Sequence, residues 1–299
     1  MPKTLTIFTP TYNRAHLLRR LYESLVTQSS MDFEWLVIDD GSTDFTRQLV
    51  DGFIREGRIP IRYIYKENGG LHTGYNTAYA NIGTELCVCI DSDDFMPDEA
   101  VETIVRVWRE KGSDRYAGLI GLDLLLDTME PIGGPFPEGL DEVYFPDLRI
   151  RNLHTGDVKP VTRTDLMRKV APQTGFEGEK NFNPVYMLLQ VTDTMPMIVV
   201  NEPLCIVDYQ TGSESMSASI FRQYVDSPRS FAKLRRLEMT LRRSTLRNSL
   251  RSAVHYVSSC ILAGDSDWLR TSPRKGLTLL AAPAGWLLSK YIRRRAKEC

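Results

Sequence analysis

The feature that most constrains the fold is a regular alternation of short apolar runs and helix-period segments over roughly the first 120 residues. The apolar runs predict strands at Leu5–Phe8, Trp35–Ile38, Ile61–Tyr65 and Leu86–Ile90. The intervening segments predict helices at His16–Val26, around Leu49–Phe53, at Gly74–Ile82 and from Pro97 to Trp108. Such alternation indicates an α/β fold with a mostly parallel sheet and helices on both faces.

Polar clusters follow three of these predicted strands, at Thr9–Arg14, Asp39–Ser42 and Asp91–Asp94. Sheets of this kind bind ligands outside the carboxyl ends of their strands. The sequence therefore predicts one site at that edge, built from all three clusters.

Asp91 and Asp93 lie two residues apart at a strand end, so their side chains point the same way. Two neighbouring carboxylates favour a cation between them. Mg²⁺ or Mn²⁺ prefers oxygen ligands and keeps positions open for phosphate oxygens. We therefore predict a divalent metal site here; the alternative is a solvated acidic turn.

Other polar residues near these strand ends suit a nucleotide. Asp39 and Asp40 can accept hydrogen bonds from a ribose or a base, although helix N-capping is an alternative for Asp40. Tyr12 is positioned to stack on a base, and Arg14 and Lys66 are candidate partners of a diphosphate.

The pattern resembles the family-2 glycosyltransferases of the GT-A fold. Four blocks carry the resemblance: Ile7–Arg14, Leu36–Asp44, Lys66–Asn76 and Asp91–Asp94. They cover residues 4–110, and the rest of the chain matches only weakly.

The resemblance implies roles for individual residues of those blocks. It implies nucleotide binding by Thr9, Pro10, Tyr12, Arg14, Asp39, Asp40, Lys66, Asn68, Gly69, His72, Asn76, Asp91 and Ser92. It implies that Asp93, with Asp91, holds Mn²⁺ or Mg²⁺, and we place Asp94 in the catalytic group.

The same resemblance implies an inverting displacement, in which a carboxylate removes a proton from the attacking acceptor hydroxyl. Glu179 in the segment Phe176–Lys180 is our first candidate for this base, with Glu177 as the alternate. The usual family form Glu-Asp is absent from this segment. The polar loop Tyr209–Ser217 resembles one that closes over the donor.

Charge divides the chain into an acidic body and a basic tail. Residues 229–299 hold 16 Lys and Arg against 4 Asp and Glu, whereas the whole chain has a net charge of -1. We predict a GT-A domain at residues 1–225, with a nucleotide-binding half (1–110) and an acceptor half (111–225), followed by a helical basic tail at 226–299. Such asymmetry suggests an anionic partner.

An anionic membrane and a nucleic acid are the two candidate partners of the tail. Arg235–Arg251 has no aromatic residues, which argues against nucleic acid. Leu277–Leu288 is apolar but too short to span a bilayer, and arginines follow it. We therefore predict an interfacial helix at an anionic membrane; the alternative is a helix packed on the catalytic domain.

The scattered cysteines predict free thiols in a reducing cytoplasm, because none forms a paired zinc motif. No signal peptide is visible, so we expect a cytoplasmic, peripheral protein at the inner face of the cell membrane.

The sequence thus predicts a hexosyltransferase that moves a sugar from a nucleotide diphosphate, by analogy UDP, to a glycan or lipid-linked acceptor. Two alternatives remain: an inactive nucleotide-sugar-binding module and a sugar nucleotidyltransferase. The second needs a Gly-rich phosphate loop, and Thr9–Arg14 has no glycine.

Overall fold

A computed structural model describes residues 3–209 and 220–298 of the chain. These residues divide into two compact units. The first comprises residues 3–69, 73–172 and 187–209; the second comprises residues 70–72, 173–186 and 220–298. The segment 173–186, which contains Glu177 and Glu179, therefore groups with the C-terminal helices and not with the sheet.

The strands all belong to the first unit. They are β1 (Leu5–Thr11), β2 (Phe33–Asp39), β3 (Ile61–Tyr65), β4 (Leu86–Cys89), β5 (Gly118–Leu125), β6 (Glu130–Pro131), β7 (Glu142–Val143), β8 (Val158–Arg163) and β9 (Met197–Val207).

The helices are distributed over the described chain. They are α1 (Ala15–Val26), α2 (Thr46–Glu56), α3 (Leu71–Asn81), α4 (Ala100–Lys111), α5 (Phe145–Ile150), α6 (Thr164–Val170), α7 (Val185–Thr192), α8 (Ile220–Asp226), α9 (Pro228–Thr240), α10 (Leu246–Leu262), α11 (Trp268–Thr271) and α12 (Lys275–Glu298).

One sheet runs through the first unit in the order β3-β2-β1-β4-β8-β5-β9-β7, with β6 beside β5. β3, β2, β1 and β4 are mutually parallel, as are β5 and β9, whereas β8 is antiparallel to both of its neighbours. The register pairs Thr11 with Asp39 and Asp39 with Tyr65. The carboxyl ends of β1, β2 and β3 therefore lie side by side.

Both faces of the sheet are covered, which explains why nearly every position of β1, β2, β4 and β5 is buried. Ile7 and Trp35 face a cluster that includes Leu18 of α1 and Ile104 of α4. Phe8, the next residue of β1, joins a separate cluster on the opposite face with residues of α3. The two cores hold the strand ends at fixed positions.

In the second unit α9, α10 and α12 share an apolar core. It contains Met239, Tyr256, Val257 and Ala281, all nearly inaccessible to solvent. Among the described residues, no helix has the length and the apolar content that crossing a bilayer requires.

The predicted strands and helices of the first 110 residues are present, with ends shifted by a few residues. α12 is longer than the apolar segment Leu277–Leu288. The predicted loop Tyr209–Ser217 lies outside the described residues from position 210 onward.

Candidate functional site at the carboxyl ends of β1 to β4

The loops that follow β1 and β2 are joined by Asn13. Its backbone N–H donates to Ser42 Oγ at 2.9 Å, and its side-chain Oδ1 accepts from the backbone N–H of Thr43 at 2.8 Å. Asn13 adopts a left-handed backbone conformation with φ 54°, which asparagine tolerates better than most residues. Two of the predicted polar clusters are therefore in direct contact.

Asp40 organises the loop that follows β3. One carboxylate oxygen accepts from the backbone N–H of Gly69 at 3.0 Å and from Lys66 Nζ. Asn68 Nδ2 donates to the Asp40 carbonyl at 2.8 Å. The Asp40 side chain is 8% exposed, so these hydrogen bonds are largely shielded from water. Asp40, predicted to contact a nucleotide, is also the residue that shapes the Lys66–Gly69 segment.

Gly41 allows these loops to approach closely. Its φ is +88°, and a Cβ atom there would lie 2.8 Å from the backbone nitrogen of Asn68. Any other residue would be strained and would clash with backbone. Gly41 therefore allows the loop that follows β2 to pack directly against the loop that follows β3.

Asp39 is almost completely buried and has two partners of its own. Its Oδ1 accepts from the Ser42 backbone N–H at 2.7 Å, and its Oδ2 accepts from the Tyr63 hydroxyl at 2.5 Å. Burial, reinforced by the hydrogen bond to Asp39, raises the pKa of Tyr63. The Tyr63 hydroxyl therefore stays a neutral donor and holds the carboxylate in one orientation.

The end of β4 is tied to the end of β1 by an ion pair. Arg14 Nη1 lies 3.0 Å from Asp93 Oδ2 and 3.4 Å from Ser92 Oγ. Both side chains of the pair are partly exposed, at 30% and 19%. The guanidinium of Arg14 therefore connects the acidic motif to the block after β1 that the sequence predicts to bind nucleotide.

Arg20 of α1 holds the same acidic loop from another side. It donates to the Asp93 carbonyl at 2.5 Å and pairs with Asp208 at 2.8 Å, and its guanidinium lies 4.8 Å from the ring centroid of Phe95. Sequence reasoning missed Arg20, because a single arginine on an amphipathic helix looks like an ordinary surface residue.

The acidic loop carries oxygen donors of the kind that a divalent cation binds. Asp91 is exposed and Asp93 is half-buried, so carboxylate oxygens from both are accessible. Within residues 3–209 and 220–298, no three His, Cys, Asp or Glu side chains are grouped so as to hold a metal ion alone. Mg²⁺ and Mn²⁺ take one or two carboxylates and complete their shell with water and phosphate oxygens, and this donor set is compatible with that arrangement.

A buried charge cluster lies behind the acidic loop. Lys159 Nζ of β8 is 3.8 Å from Asp94 Oδ2 and 3.7 Å from Asp123 Oδ2 of β5, and all three side chains are at most 10% exposed. Burial raises the pKa of Asp94 to about 7 and that of Asp123 to about 6, although Lys159 opposes both shifts. The pKa of Lys159 is raised because its carboxylate neighbours outweigh its own desolvation.

Neither Lys159 nor Asp123 was predicted. The available signal was one charged residue in the otherwise apolar segment Gly118–Leu125 and a lysine preceding Pro160 and Val161 in Val158–Arg163. A buried charge requires a partner, but which residues are partners depends on the insertion of β8 between β4 and β5.

The remaining predicted residues of the first unit differ in how exposed their side chains are. Thr9 is fully buried, and its hydroxyl accepts a hydrogen bond from the Trp35 indole at 3.0 Å. Tyr12, by contrast, is 48% exposed and is available to stack on a base. Pro10 packs beneath Gly74 of α3, and Asn76 on the same helix is half-buried.

Three predicted residues belong to the second unit. His72 is buried, with Gly175 against its imidazole and Phe182 at a ring-centroid distance of 6.0 Å. Glu177 is exposed, and its carbonyl accepts from Arg229 Nη2 at 2.6 Å.

The Glu179 side chain is only 4% exposed and caps α9. Its Oε1 accepts from the backbone N–H and Nε of Arg229, both at 3.0 Å, and its Oε2 accepts from the Ser230 backbone N–H at 2.7 Å. A carboxylate at a helix N-terminus satisfies N–H groups that lack partners within the helix. Glu179 therefore has a structural task that the sequence did not reveal.

Residues 6–121 match the family described as Glycosyl transferase family 2. Over these residues the chain is similar to family-2 glycosyltransferases. The resemblance carried by the four sequence blocks is thereby confirmed.

Curated relatives of the chain include glycosyltransferase GlyA of Streptococcus pneumoniae, which is 33% identical over 114 residues. The match covers 38% of this chain and 16% of GlyA. A second pneumococcal glycosyltransferase, GlyG, is 28% identical over 40% of this chain and 39% of its own length. The chain thus spans well under half the length of these relatives.

The solved structures of similar fold include S. aureus TarS 1–349, with a TM-score of 0.62 at 16% identity, covering 96% of this chain and 78% of that chain. The mannosyltransferase PcManGT from Pyrobaculum calidifontis, solved with GDP-Man and Mn²⁺, gives a TM-score of 0.56 at 16% identity and covers 99% and 84%. These matches confirm the predicted GT-A fold.

Proposed function

We propose that this protein transfers a hexose from a nucleoside diphosphate donor, a UDP-sugar, to a hydroxyl of a glycan or lipid-linked acceptor. The observation that carries the proposal is the interlocked set of loops at the ends of β1 to β4, in which Asp39, Asp40, Arg14 and Asp93 are brought together by hydrogen bonds and an ion pair. TarS has also been solved with UDP-GlcNAc, which supports the choice of UDP.

In this proposal the donor nucleoside lies against the ends of β1 and β2. Tyr12 supplies an exposed ring for the base. We assign base and ribose to Asp39 and Asp40, whose largely buried carboxylates would exchange some of their present hydrogen-bond partners for the nucleoside. Arg14 and Lys66, both partly exposed, lie close enough to the same loops to neutralise diphosphate charge. Arginine suits this role because its planar fork matches phosphate oxygens.

Asp91 and Asp93 would hold Mn²⁺ or Mg²⁺ together with the donor diphosphate. The bound ion would supply charge stabilisation for the departing nucleoside diphosphate. Arg20, which contacts the Asp93 carbonyl, and Arg14, which pairs with its carboxylate, keep the acidic loop in place.

In the proposed reaction the acceptor oxygen bonds to the anomeric carbon while the bond from that carbon to the diphosphate breaks. The diphosphate leaves with the electron pair, and the acceptor proton passes to a carboxylate base. We now favour Glu177 for this base over Glu179, because Glu177 is exposed whereas both Glu179 oxygens accept hydrogen bonds from α9. Asp94 is buried and pairs with Lys159, so we assign it to supporting the acidic loop and not to catalysis.

A nucleotide panel tests the donor. The melting temperature of the protein is measured with UDP, GDP, dTDP and CDP, each with and without Mn²⁺, and transfer or hydrolysis of UDP-sugars is followed by mass spectrometry. We expect stabilisation by UDP that depends on Mn²⁺, together with turnover. Stabilisation without turnover of any sugar nucleotide and acceptor would instead indicate a binding module, and no shift with any nucleotide would overturn the proposal.

We also propose that the protein works at an anionic membrane surface, on its cytoplasmic side. The excess of Lys and Arg in residues 229–299 supports this location.

A further inference from the structure

α12 presents two chemically different sides. Thr278, Ala281, Gly285, Ser289 and Ile292 form a side that is buried in the second unit. Gly285 brings the helix close to α10, since a Cβ atom there would lie 2.6 Å from Val257 Cβ. The residues of this side hold α12 in the second unit.

The opposite side is apolar and exposed. We define the apolar stripe of α12 as Leu279, Leu280, Pro283, Trp286, Leu287 and Tyr291. The exposed fraction of its large residues ranges from 48% for Trp286 to 71% for Leu280. At 100° per residue the stripe spans an arc of about 140°, and from end to end it is about 18 Å long. A contiguous exposed apolar surface of this kind marks an interaction site.

Basic residues continue this stripe toward the C-terminus of α12. Within α12 there are six Lys and Arg residues and a single acidic residue, Glu298. On a helical projection Lys290, Arg294 and Lys297 fall on the same side as the stripe and extend it toward the helix C-terminus. Lys290 Nζ lies 3.7 Å from the centroid of the Trp286 ring, so apolar and cationic groups are in contact along one surface.

We propose that the apolar stripe of α12 and its flanking lysines and arginines dock onto an anionic lipid surface, with the helix lying in the plane of the interface. This inference rests on the proposed membrane location and identifies the surface of the protein that contacts the membrane. Leucines enter the acyl boundary, Trp286 and Tyr291 lie at headgroup level, and the basic side chains contact lipid phosphates.

Charge decides between lipid and a second copy of the chain as the occupant. Two copies meeting through this stripe would bury Lys290, Arg294 and Lys297 against a helix with a single acidic residue, and unpaired charge at an interface opposes association. An anionic leaflet satisfies the apolar and the cationic groups at once.

Vesicle flotation tests the proposal. The full chain is mixed with phosphatidylcholine vesicles or with mixed phosphatidylcholine and phosphatidylglycerol vesicles. The variants are the double substitution Leu280→Glu/Leu287→Glu and the double substitution Lys290→Gln/Lys297→Gln. Leu246→Glu is the matched control, because Leu246 is 69% exposed in the same unit but on α10.

We expect the wild type and Leu246→Glu to float with the anionic vesicles and to bind neutral vesicles weakly. The leucine variant should lose affinity by roughly tenfold or more, and the lysine variant by roughly fivefold per lysine with a weaker dependence on salt. Unchanged binding by the leucine variant, or equal binding to both vesicle types, would overturn the proposal. So would a dimer, detected by light scattering without vesicles, that the leucine substitutions dissociate.

The nucleotide panel, repeated on the same variants, separates this inference from the proposed reaction. We expect nucleotide-dependent stabilisation to be unchanged when vesicle binding is lost, because the substituted residues lie on the exposed side of α12. Loss of folding in the leucine variant would show as a lowered melting temperature without nucleotide, and the lysine variant would then carry the test.

Discussion

Arg14 of the β1 block and Asp93 of the acidic motif form an ion pair, with 3.0 Å between Nη1 and Oδ2. The proposed function assigns the arginine to the diphosphate and the aspartate to the metal. On these assignments, donor binding would exchange the Arg14–Asp93 ion pair for a contact between Arg14 and the diphosphate and a contact between Asp93 and the metal ion.

Removing Arg14 tests this exchange. Arg14→Gln should weaken UDP binding by roughly tenfold, since one charge-assisted contact is lost. It should strengthen binding of Mn²⁺ alone, because Asp93 no longer has a competing cation. Isothermal titration with Mn²⁺, with UDP and with both measures the two effects. Arg47→Gln, which breaks an exposed pair with Asp51, is the control. Weaker binding of Mn²⁺ alone by Arg14→Gln would contradict the exchange.

Asp93 itself provides the complementary prediction. Asp93→Asn keeps the size of the side chain and removes its charge, so nucleotide binding should lose its dependence on Mn²⁺ while the fold is retained. The melting temperature with UDP, measured with and without Mn²⁺, reports this directly. If UDP still stabilises the variant more strongly in Mn²⁺ than without it, Asp93 is not a metal ligand.

The two glutamates of the segment 173–186 can be separated by combining stability with turnover. Glu179→Gln replaces an acceptor of the Arg229 and Ser230 N–H groups with an amide, and we expect a loss of about 1–3 kcal/mol in the free energy of unfolding. Glu177→Gln lies at an exposed position and should change stability by less than about 0.5 kcal/mol. Its turnover should fall by roughly a hundredfold or more while UDP affinity is retained.

Chemical denaturation and single-turnover transfer, measured on both variants, distinguish Glu177 from Glu179 as the base. Normal turnover by Glu177→Gln would exclude it as the base. A stable Glu179→Gln that binds UDP but does not transfer would return the role to Glu179.

How far the sequence predicts the molecule depends on how local each interaction is. β1 to β4 follow from apolar runs of a few residues, and their polar ends follow from the general behaviour of parallel sheets. The pairing of Asn13 with Ser42 and Thr43 joins segments whose proximity the strand order already implied. The convergence of these clusters was therefore predictable, although the individual hydrogen bonds were not.

The interactions that were not predicted join distant parts of the chain. Glu179 caps a helix that begins about fifty residues later, so no local pattern distinguishes it from a catalytic glutamate. Thr9 follows the pattern of a binding residue, yet its hydroxyl bonds to Trp35 in the core. Both Glu179 and Thr9 resembled site residues in the sequence. Each in fact makes hydrogen bonds within the protein to residues that only the tertiary structure identifies.

Lys159 provides a prediction about the buried cluster behind the acidic loop. Lys159→Met leaves Asp94 and Asp123 without their cation and should cost about 3–5 kcal/mol in the free energy of unfolding. The pKa values of Asp94 and Asp123, about 7 and about 6, rise further without the lysine. The cost should therefore be greatest above pH 7 and should decrease as the pH falls and the carboxyls take up protons.

Urea denaturation at pH 8 and at pH 5.5 compares the two conditions. Lys169→Met is the control, because Lys169 is 69% exposed and its pair with Asp165 contributes little. The double variant Lys159→Met/Asp123→Asn should recover part of the loss at pH 8. A cost independent of pH, with no recovery in the double variant, would show that lost packing and not charge is responsible.

His255 of α10 makes the stability of the helical unit depend on pH. Burial, reinforced by Arg235 and Arg251, lowers its pKa to about 4 from the ordinary value of 6.5, with Glu238 opposing the shift. The unfolded chain therefore binds a proton at a higher pH than the folded protein does. By linkage, the contribution of His255 to the free energy of unfolding falls as the pH drops from about 6.5 to about 4 and is constant below that range.

His255→Gln removes this titration and should flatten the pH dependence of unfolding across the same interval, whatever its effect on stability at pH 8. The measurement is urea denaturation at half-unit steps of pH, followed by far-ultraviolet circular dichroism. His16→Gln, an exposed histidine on α1, is the matched control for removing a histidine. If His255→Gln kept the wild-type slope between pH 6.5 and 4, the proton taken up on unfolding would belong to another group, and burial of His255 would not be its cause.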